Sequence, residues 1–413
     1  MRVLDPHVLI DERQLRYHLS VMSFQLSYNL TQETIRNLEF SSAGDGFLQV
    51  LRMNPEWAVI LERKARIKEA IGSIGIEGTV VTAEQARAIT EGDESIPVGE
   101  KERREFVGYS LSLSYVRERA DEELGLGLLM ALHKKVTQGD IKANPGKLRT
   151  DLRSVKRHGR KIYTAPPPEQ LSFLLRDFFR WFNTVAAEKM FSPVVAAAIC
   201  HFWFVWIHPF ADGNGRVARL LTTFLLLKKR SEGVKYFALS DFYNRDLDGY
   251  YDTLEKVNVC NPDVPSMNFD LPLTVWIVYF VQSYSAQMSS AKGIASRILQ
   301  LKIRVDHLRS EKLISAKHEE VLAFLSAREK ASYAELQAHL GGVTQSYVTQ
   351  VLKPLRDAKI LAEESIGGRK WFKLGAPEDE PDETVLKQNA KRKHVRRQKV
   401  AEHKQAVFPI FED

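Results

Sequence analysis

The chain has 413 residues, long enough for two or three domains of about 100–200 residues each. Hydrophobic residues make up 44% of it, which calls for a packed core and excludes a fibrous or wholly disordered chain. The net charge of +7 admits anionic partners, while two isolated cysteines, Cys200 and Cys260, exclude a disulfide framework and a thiolate zinc cluster.

Residues 1–106 read as a mostly helical N-terminal region. The charged start has no signal-peptide core, and the two isolated cysteines make a reducing cytoplasm the expected setting. Asn54 as N-cap and Pro55 in the first turn open a helix whose stripe is Trp57, Ile60, Leu61, Ala65, Ile67 and Ile71. Gly72 weakens that pattern and Gly78 ends it. Between them, "SIGIEG" puts Ser73 and Glu77 four apart, on one helix face. Residues 91–102 read as a loop.

Residues 107–290 favour helices, with one exception. Val155, Ile162 and Tyr163 flank a basic turn at Gly159, and Pro166, Pro167 and Pro168 follow, so a β-hairpin is expected there. "VVAAAICHFWFVWIHPF" is the longest apolar run. His201 interrupts it, and it falls short of the roughly 20 residues a membrane span needs. It is expected to be a buried helix, with no membrane partner. Residues 291–312 form a connecting helix with a seam of Ile294, Ile298, Leu301, Val305 and Leu308. Residues 313–375 give helix, helix, turn, helix and two strands around Gly367 and Gly368, the order of a winged helix-turn-helix. Residues 376–413 alternate acidic and basic blocks, the pattern of a solvated tail.

The densest chemistry lies in "HPFADGNGRVAR", His208 to Arg219. A Gly-Asn-Gly turn opening a strongly periodic helix is a ready anion site. Arg216 and Arg219, three apart, add fixed positive charge with bidentate geometry for phosphate oxygens. Asp212 is a hard oxygen ligand of the kind that holds Mg²⁺ together with phosphate oxygens and water. His208 is mostly neutral at pH 7 at its ordinary pKa, so it can accept a hydroxyl proton. Phe210 reads as a core anchor. A metalloenzyme built on His201 and His208 lacks further ligands.

These residues match the signature HxFx[D/E]GNGRxxR, and the stretch from about Val107 to Tyr284 resembles the Fic (filamentation-induced-by-cyclic-AMP) family. The resemblance implies a mainly α fold, a helical bundle with the hairpin as a flap beside the C-terminal winged helix. It implies transfer of AMP from ATP to a Ser, Thr or Tyr hydroxyl of a protein, with self-modification. His208 would be the base and Asp212 the Mg²⁺ ligand. Gly213, Asn214 and Gly215 would form the anion hole, and Arg216 and Arg219 would steady the outer phosphates. Kinase-like relatives replace the second motif glycine, whereas this chain keeps Gly215. The target would dock on the flap near Lys156–Tyr163, and Tyr250 or Tyr251 would wall the nucleobase. Ser73 and Glu77 match the family's inhibitory motif, which implies that Glu77 pairs with Arg219 and blocks the γ-phosphate. A homodimer is a further expected partner.

The C-terminal domain leaves a second reading open. Thr349, Gln350, Lys353 and Arg356 on its third helix, with Arg369 and Lys370 in the wing, suit DNA contacts. Glu363 and Glu364 oppose them, and Pro354 interrupts the helix. The alternative to an autoinhibited adenylyltransferase is thus a DNA-binding regulator whose nucleotide module senses nucleotide or modifies the protein itself.

Overall fold

The computed structural model describes residues 9–11, 14–21, 24–49, 55–188, 192–257, 270–326, 330–366 and 368–375. Asn54, Cys260, Gly367 and the charged tail lie outside them. The chain divides into one unit of residues 1–53 and 62–292 and a second of residues 54–61 and 293–413.

The first unit opens with strands rather than helix: β1 (Leu9–Asp11), β2 (Gln14–Val21) and β3 (Phe24–Leu30). They form an antiparallel meander, and β6 (Asp270–Pro272) adds to β3 in parallel. The period-2 alternation of Leu15, Tyr17, Leu19 and Val21, repeated in Phe24, Leu26, Tyr28 and Leu30, is the signal that the helical expectation overlooked.

Helices follow. They are α1 (Gln32–Gln49), α2 (Pro55–Ile76), α3 (Ala83–Glu91), α4 (Glu100–Glu118) and α5 (Leu126–Val136). α3 is fixed by a capping box between Thr82 and Gln85 and stopped by Gly92 in the left-handed region. α2 does not weaken at Gly72. It passes straight through it, because that glycine lies against the chain at Ser240 and Asp241. A Cβ there would sit 2.4 Å from the Asp241 nitrogen. Gly72→Ala is therefore expected to cost about 1–3 kcal/mol through overpacking. Thermal melting against wild type checks this; an unchanged melting temperature would refute the contact.

The hairpin forms as expected, with β4 (Ser154–Arg157) and β5 (Arg160–Thr164) joined through His158 and Gly159, both at positive φ. Then come α6 (Leu171–Ala187), α7 (Pro193–Ile207) and α8 (Asn214–Lys228). α7 is apolar almost all round, and both helices bury side chains on nearly every face, those of α8 including Arg216, Arg219, Thr222 and Thr223. They pack on each other, with α4, α5 and α6 around them. Phe178, Phe182, Trp203, Phe204 and Phe224 fill the space between. α9 (Leu239–Arg245) and α10 (Leu247–Val257) complete the surround.

α11 (Thr274–Ser310) is one helix of 37 residues that runs through the expected boundary at 290, close to residues 292 and 293, where the chain divides into its two units. No Gly or Pro signal strong enough to stop a helix falls there; Gly293 lies in open space. In the second unit, α12 (Ala316–Ser326), β7 (Ala331–Ser332), α13 (Tyr333–His339), α14 (Gln345–Asp357), β8 (Leu361–Ile366) and β9 (Arg369–Leu374) follow in that order. The sheet order is β7-β9-β8. Leu308, Val321, Leu325, Leu336, Val348, Leu352, Leu355 and Phe372 share its core. Among the described residues, no helix is long and apolar enough to cross a membrane.

Candidate nucleotide site

The motif spans the six-residue link between the two central helices and the opening of α8. α7 ends because His208 turns into the left-handed region (φ 49, ψ 57). α8 begins after Gly213 (φ 78). A Cβ at Gly213 would also meet Thr137 at 2.8 Å, so glycine is required there twice over. The side chain of Asn214 closes the loop on itself. Its Nδ2 donates to the Phe210 carbonyl and its Oδ1 accepts from the Phe210 N–H, both at 2.9 Å. The Asn214 side chain is thus engaged in holding the loop, while its backbone N–H belongs to the helix start. Val217 makes the first intrahelical bond, to Gly213, which leaves the N–H groups of Asn214, Gly215 and Arg216 as the free donors of the helix start.

His208 is partly buried, and its Nδ1 donates to the Val205 carbonyl at 3.2 Å. That bond fixes the tautomer and leaves Nε2 as the acceptor. Burial depresses its pKa to about 4, so it is a neutral base at pH 7. Asp212 is 56% exposed on its side chain, with Arg216 3.6 Å away. Among the described residues there is no cluster of three metal-ligating side chains. Asp212 alone suits an ion whose other ligands arrive as phosphate oxygens and water.

Arg216 and Arg219 are both buried, and each keeps a side-chain nitrogen without a partner, Nε of Arg216 and Nη1 of Arg219. Arg219 is gripped by the end of α2. Its Nε donates to Ser73 Oγ at 2.7 Å, and its Nη2 donates to the Ser73 carbonyl at 2.9 Å and to Glu77 Oε1 at 2.7 Å. Burial alone would lower its pKa, but Glu77 and the facing tyrosines outweigh that and hold it charged. The Glu77 oxygen lies over the start of α8, where a Cβ on Gly215 would be 2.6 Å from it. A carboxylate thus stands at the helix N-terminus, in the place of an anionic ligand.

The two tyrosines separate. Tyr250 is 2% exposed and packed against Tyr243 and Trp276, so it presents no face to a nucleobase. The expectation for it is corrected by burial: α10 turns residue 250 inward. Tyr251 is partly exposed beside Arg157 of the hairpin. Arg157 in turn bonds Asp248 at 2.6 Å and also pairs with Asp252, tying the hairpin to α10.

Two residues were missed from the sequence. His133 on α5 is fully buried and stacks on Phe210 at 3.7 Å. Its Nε2 donates to the Asp212 carbonyl at 3.0 Å, and its Nδ1 accepts from the Gly146 N–H at 2.9 Å. Arg149, 4% exposed, donates from Nε to the His208 carbonyl at 2.7 Å and from Nη1 and Nη2 to the Asp151 and Pro166 carbonyls. It locks the motif loop to the base of the hairpin. Arg149→Met is expected to leave those carbonyls without a charged donor and cost roughly 2–4 kcal/mol, read from denaturant unfolding.

Buried neutral histidines also set an acid limit. Burial depresses His133 to about 4 and His201 to about 3 from an ordinary 6.5. Above pH 6.5 neither state binds the proton, and stability is full. Between 6.5 and 4 the unfolded chain takes up protons that the folded chain refuses, so stability falls with pH, by on the order of 3 kcal/mol per histidine. His208 adds to this effect, and Glu69, raised by burial, works the other way as one group against three. Melting temperatures at pH 7.5, 6 and 5 are expected to fall in that order.

Residues 123–226 match the model of the Fic/DOC family. The chain carries a Fic domain. Proteins called protein adenylyltransferase Fic from Drosophila sechellia and Drosophila melanogaster are 30% identical to it over 171 residues, 40% of this chain and 33% of theirs. The chain thus spans about a third of the length of these curated relatives. A Fic family protein from Desulfovibrio desulfuricans G20 shares the fold with a TM-score of 0.54 at 20% identity, covering 84% of this chain and 98% of that one. A Fic domain containing signaling protein from Bacteroides thetaiotaomicron does so at 0.53 and 23%, covering 63% and 95%. The family model spans α5 through most of α8, so every residue of the motif loop lies within the Fic domain, whereas Ser73 and Glu77 precede it.

Proposed function

We propose that the Fic domain transfers AMP from ATP to a protein hydroxyl, and that Glu77 holds it inactive in a cytoplasmic enzyme. The observation that carries this reading is the single carboxylate of Glu77 seated between the start of α8 and Arg219, on a site otherwise built of unspent donors. In the reaction, a Ser, Thr or Tyr oxygen attacks the α-phosphorus while its proton passes to Nε2 of His208. The bond to the β-phosphate oxygen breaks, and pyrophosphate leaves with its charge met by the α8 N-terminus, Arg216 and Arg219. Mg²⁺, when bound, would neutralise phosphate charge, and Asp212 is the residue that would hold it. The hairpin, braced by α10, offers strand edges along which a target segment adds as a further strand. The test is incubation of wild type and Glu77→Gly with Mg²⁺ and ATP labelled at the α-phosphate, beside a γ-labelled control. Label on protein from the α position supports the reading; label from the γ position alone makes the protein a kinase.

A second reading concerns the second unit, whose element order supports a winged helix. The solvent face of α14 carries Gln345, Ser346, Tyr347, Thr349, Gln350 and Lys353, with Asp357 partly exposed at its end. Glu363 and Glu364 are each paired with two cations, Arg356 and Lys370 for one and Lys330 and Lys373 for the other. That leaves a polar, mildly positive face suited to duplex DNA. Anisotropy of a labelled mixed-sequence duplex against salt tests it. Binding that weakens steeply with salt and is reduced by Lys353→Glu supports DNA recognition, and the absence of binding at low salt removes it.

A further inference from the structure

The end of α2 is held by two surfaces, and only one of them is the nucleotide site. There, Ser73 and Glu77 grip Arg219. One turn before Ser73, Glu69 is buried, and its carboxylate accepts three hydrogen bonds. Tyr109 on α4 donates its hydroxyl to Oε1 at 3.0 Å, and Ser240 donates its hydroxyl to the same oxygen. The Ser240 N–H donates to Oε2 at 2.9 Å. Ser240 lies in the first turn of α9, where N–H groups have no acceptor within their own helix, so a carboxylate of α2 supplies one. The same stretch of α2 approaches α9 through glycines. Gly72 lies against the backbone of Ser240 and Asp241, and a Cβ on Gly75 would stand 2.7 Å from Asn244 Oδ1. Glu69, Gly72 and Gly75, each three apart, thus meet α9 in order from its first turn to its last. Glycine inside a helix is unfavourable, so two within four residues call for a reason, and this close approach supplies it.

None of these groups takes part in the proposed transfer. We propose that α9 latches the inhibitory segment, with Glu69 as the positioning residue that, together with the fit of Gly72 and Gly75, sets the end of α2 where Ser73 and Glu77 meet Arg219. Close-packed contacts of this kind tolerate little displacement, so the strength of the brake is set away from the nucleotide site. The inference rests on the proposed reading of Glu77 as a brake.

The test uses Gly75→Ala, Glu69→Gln and the paired Gly75→Ala/Asn244→Ala, each made with Glu77 present and in the Glu77→Gly background. Two quantities are read. One is α-label incorporation from ATP. The other, with Glu77 present, is amide exchange at residues 77–79, whose N–H groups bond the carbonyls of Ile74 and Gly75. With Glu77 present, Gly75→Ala is expected to raise transfer about fivefold and Glu69→Gln about threefold, with faster exchange in both. Trimming Asn244 makes room for the new methyl, so the paired variant is expected to return to within about twofold of wild type. In the Glu77→Gly background every variant is expected to stay within about twofold of Glu77→Gly itself, which a general loss of folding would not give. Transfer or exchange left unchanged with Glu77 present, or transfer that falls alike in both backgrounds, overturns the proposal. If Glu77→Gly transfers no label, the proposed function fails, and exchange alone decides the latch: faster and rescued supports it, unchanged overturns it.

Discussion

His208→Ala is expected to lower AMP transfer by about a thousandfold in the Glu77→Gly background while leaving ATP affinity nearly unchanged. The reason is local. His208 contributes neither to the anion turn nor to the guanidinium pair; its bonds are to the Val205 carbonyl through Nδ1 and, through its own carbonyl, to Arg149. The second of these survives truncation, so the loop keeps its shape and only the proton acceptor is lost. The pH profile gives an independent check. Since His208 titrates near 4, the free enzyme's activity is expected to rise through that pH and lie flat from about 6 to 8, as far as this group controls it. An acid limb with a midpoint near 6.5 would place the proton acceptor elsewhere.

Glu77→Gly is expected to raise transfer by about 10- to 100-fold. One charge-assisted hydrogen bond in a partly shielded site is worth about 1.5–3 kcal/mol, and about 1.4 kcal/mol is tenfold. Glu77→Gln keeps a hydrogen-bonding oxygen and sheds the charge, so its activity should fall between the two. The rate of α-label incorporation ranks the three proteins. Should glycine and glutamate give the same rate, the contact seen at 2.7 Å is an ordinary ion pair and not a brake.

The motif was legible because its chemistry is contiguous: base, carboxylate, turn and cations sit within twelve residues, and the turn's glycines declare a backbone constraint. The Ser73–Glu77 partner was legible through the family pattern, and the structure puts Ser73 on the last turn of α2 and Glu77 one residue past its end, both against Arg219. The hairpin announced itself through Gly159 and three prolines. His133 and Arg149 were not legible, because they act on backbone carbonyls that lie 59 to 79 residues further along the chain, and a carbonyl leaves no mark on sequence. Choosing between Tyr250 and Tyr251 needed the facing of α10, which adjacent residues of one type cannot give. Gly72 looked like a flaw in a helix, and only the close approach of Ser240 and Asp241 explains it. The strands at the N-terminus were a different failure. Their alternation is plain in the letters and was passed over.

The seat of Glu77 beside Gly215 has a kinetic meaning. A carboxylate carried by the same chain meets Arg219 at an effective concentration set by geometry, of millimolar order or more even for flexible tethers. Free ATP competes with such a built-in ligand poorly, so a rise in nucleotide supply alone moves the balance little. Under the proposed brake, the length and stiffness of the tether at the end of α2 would govern how readily Arg219 is freed. On the proposed reading, freeing Arg219 therefore calls for a displacement of the end of α2.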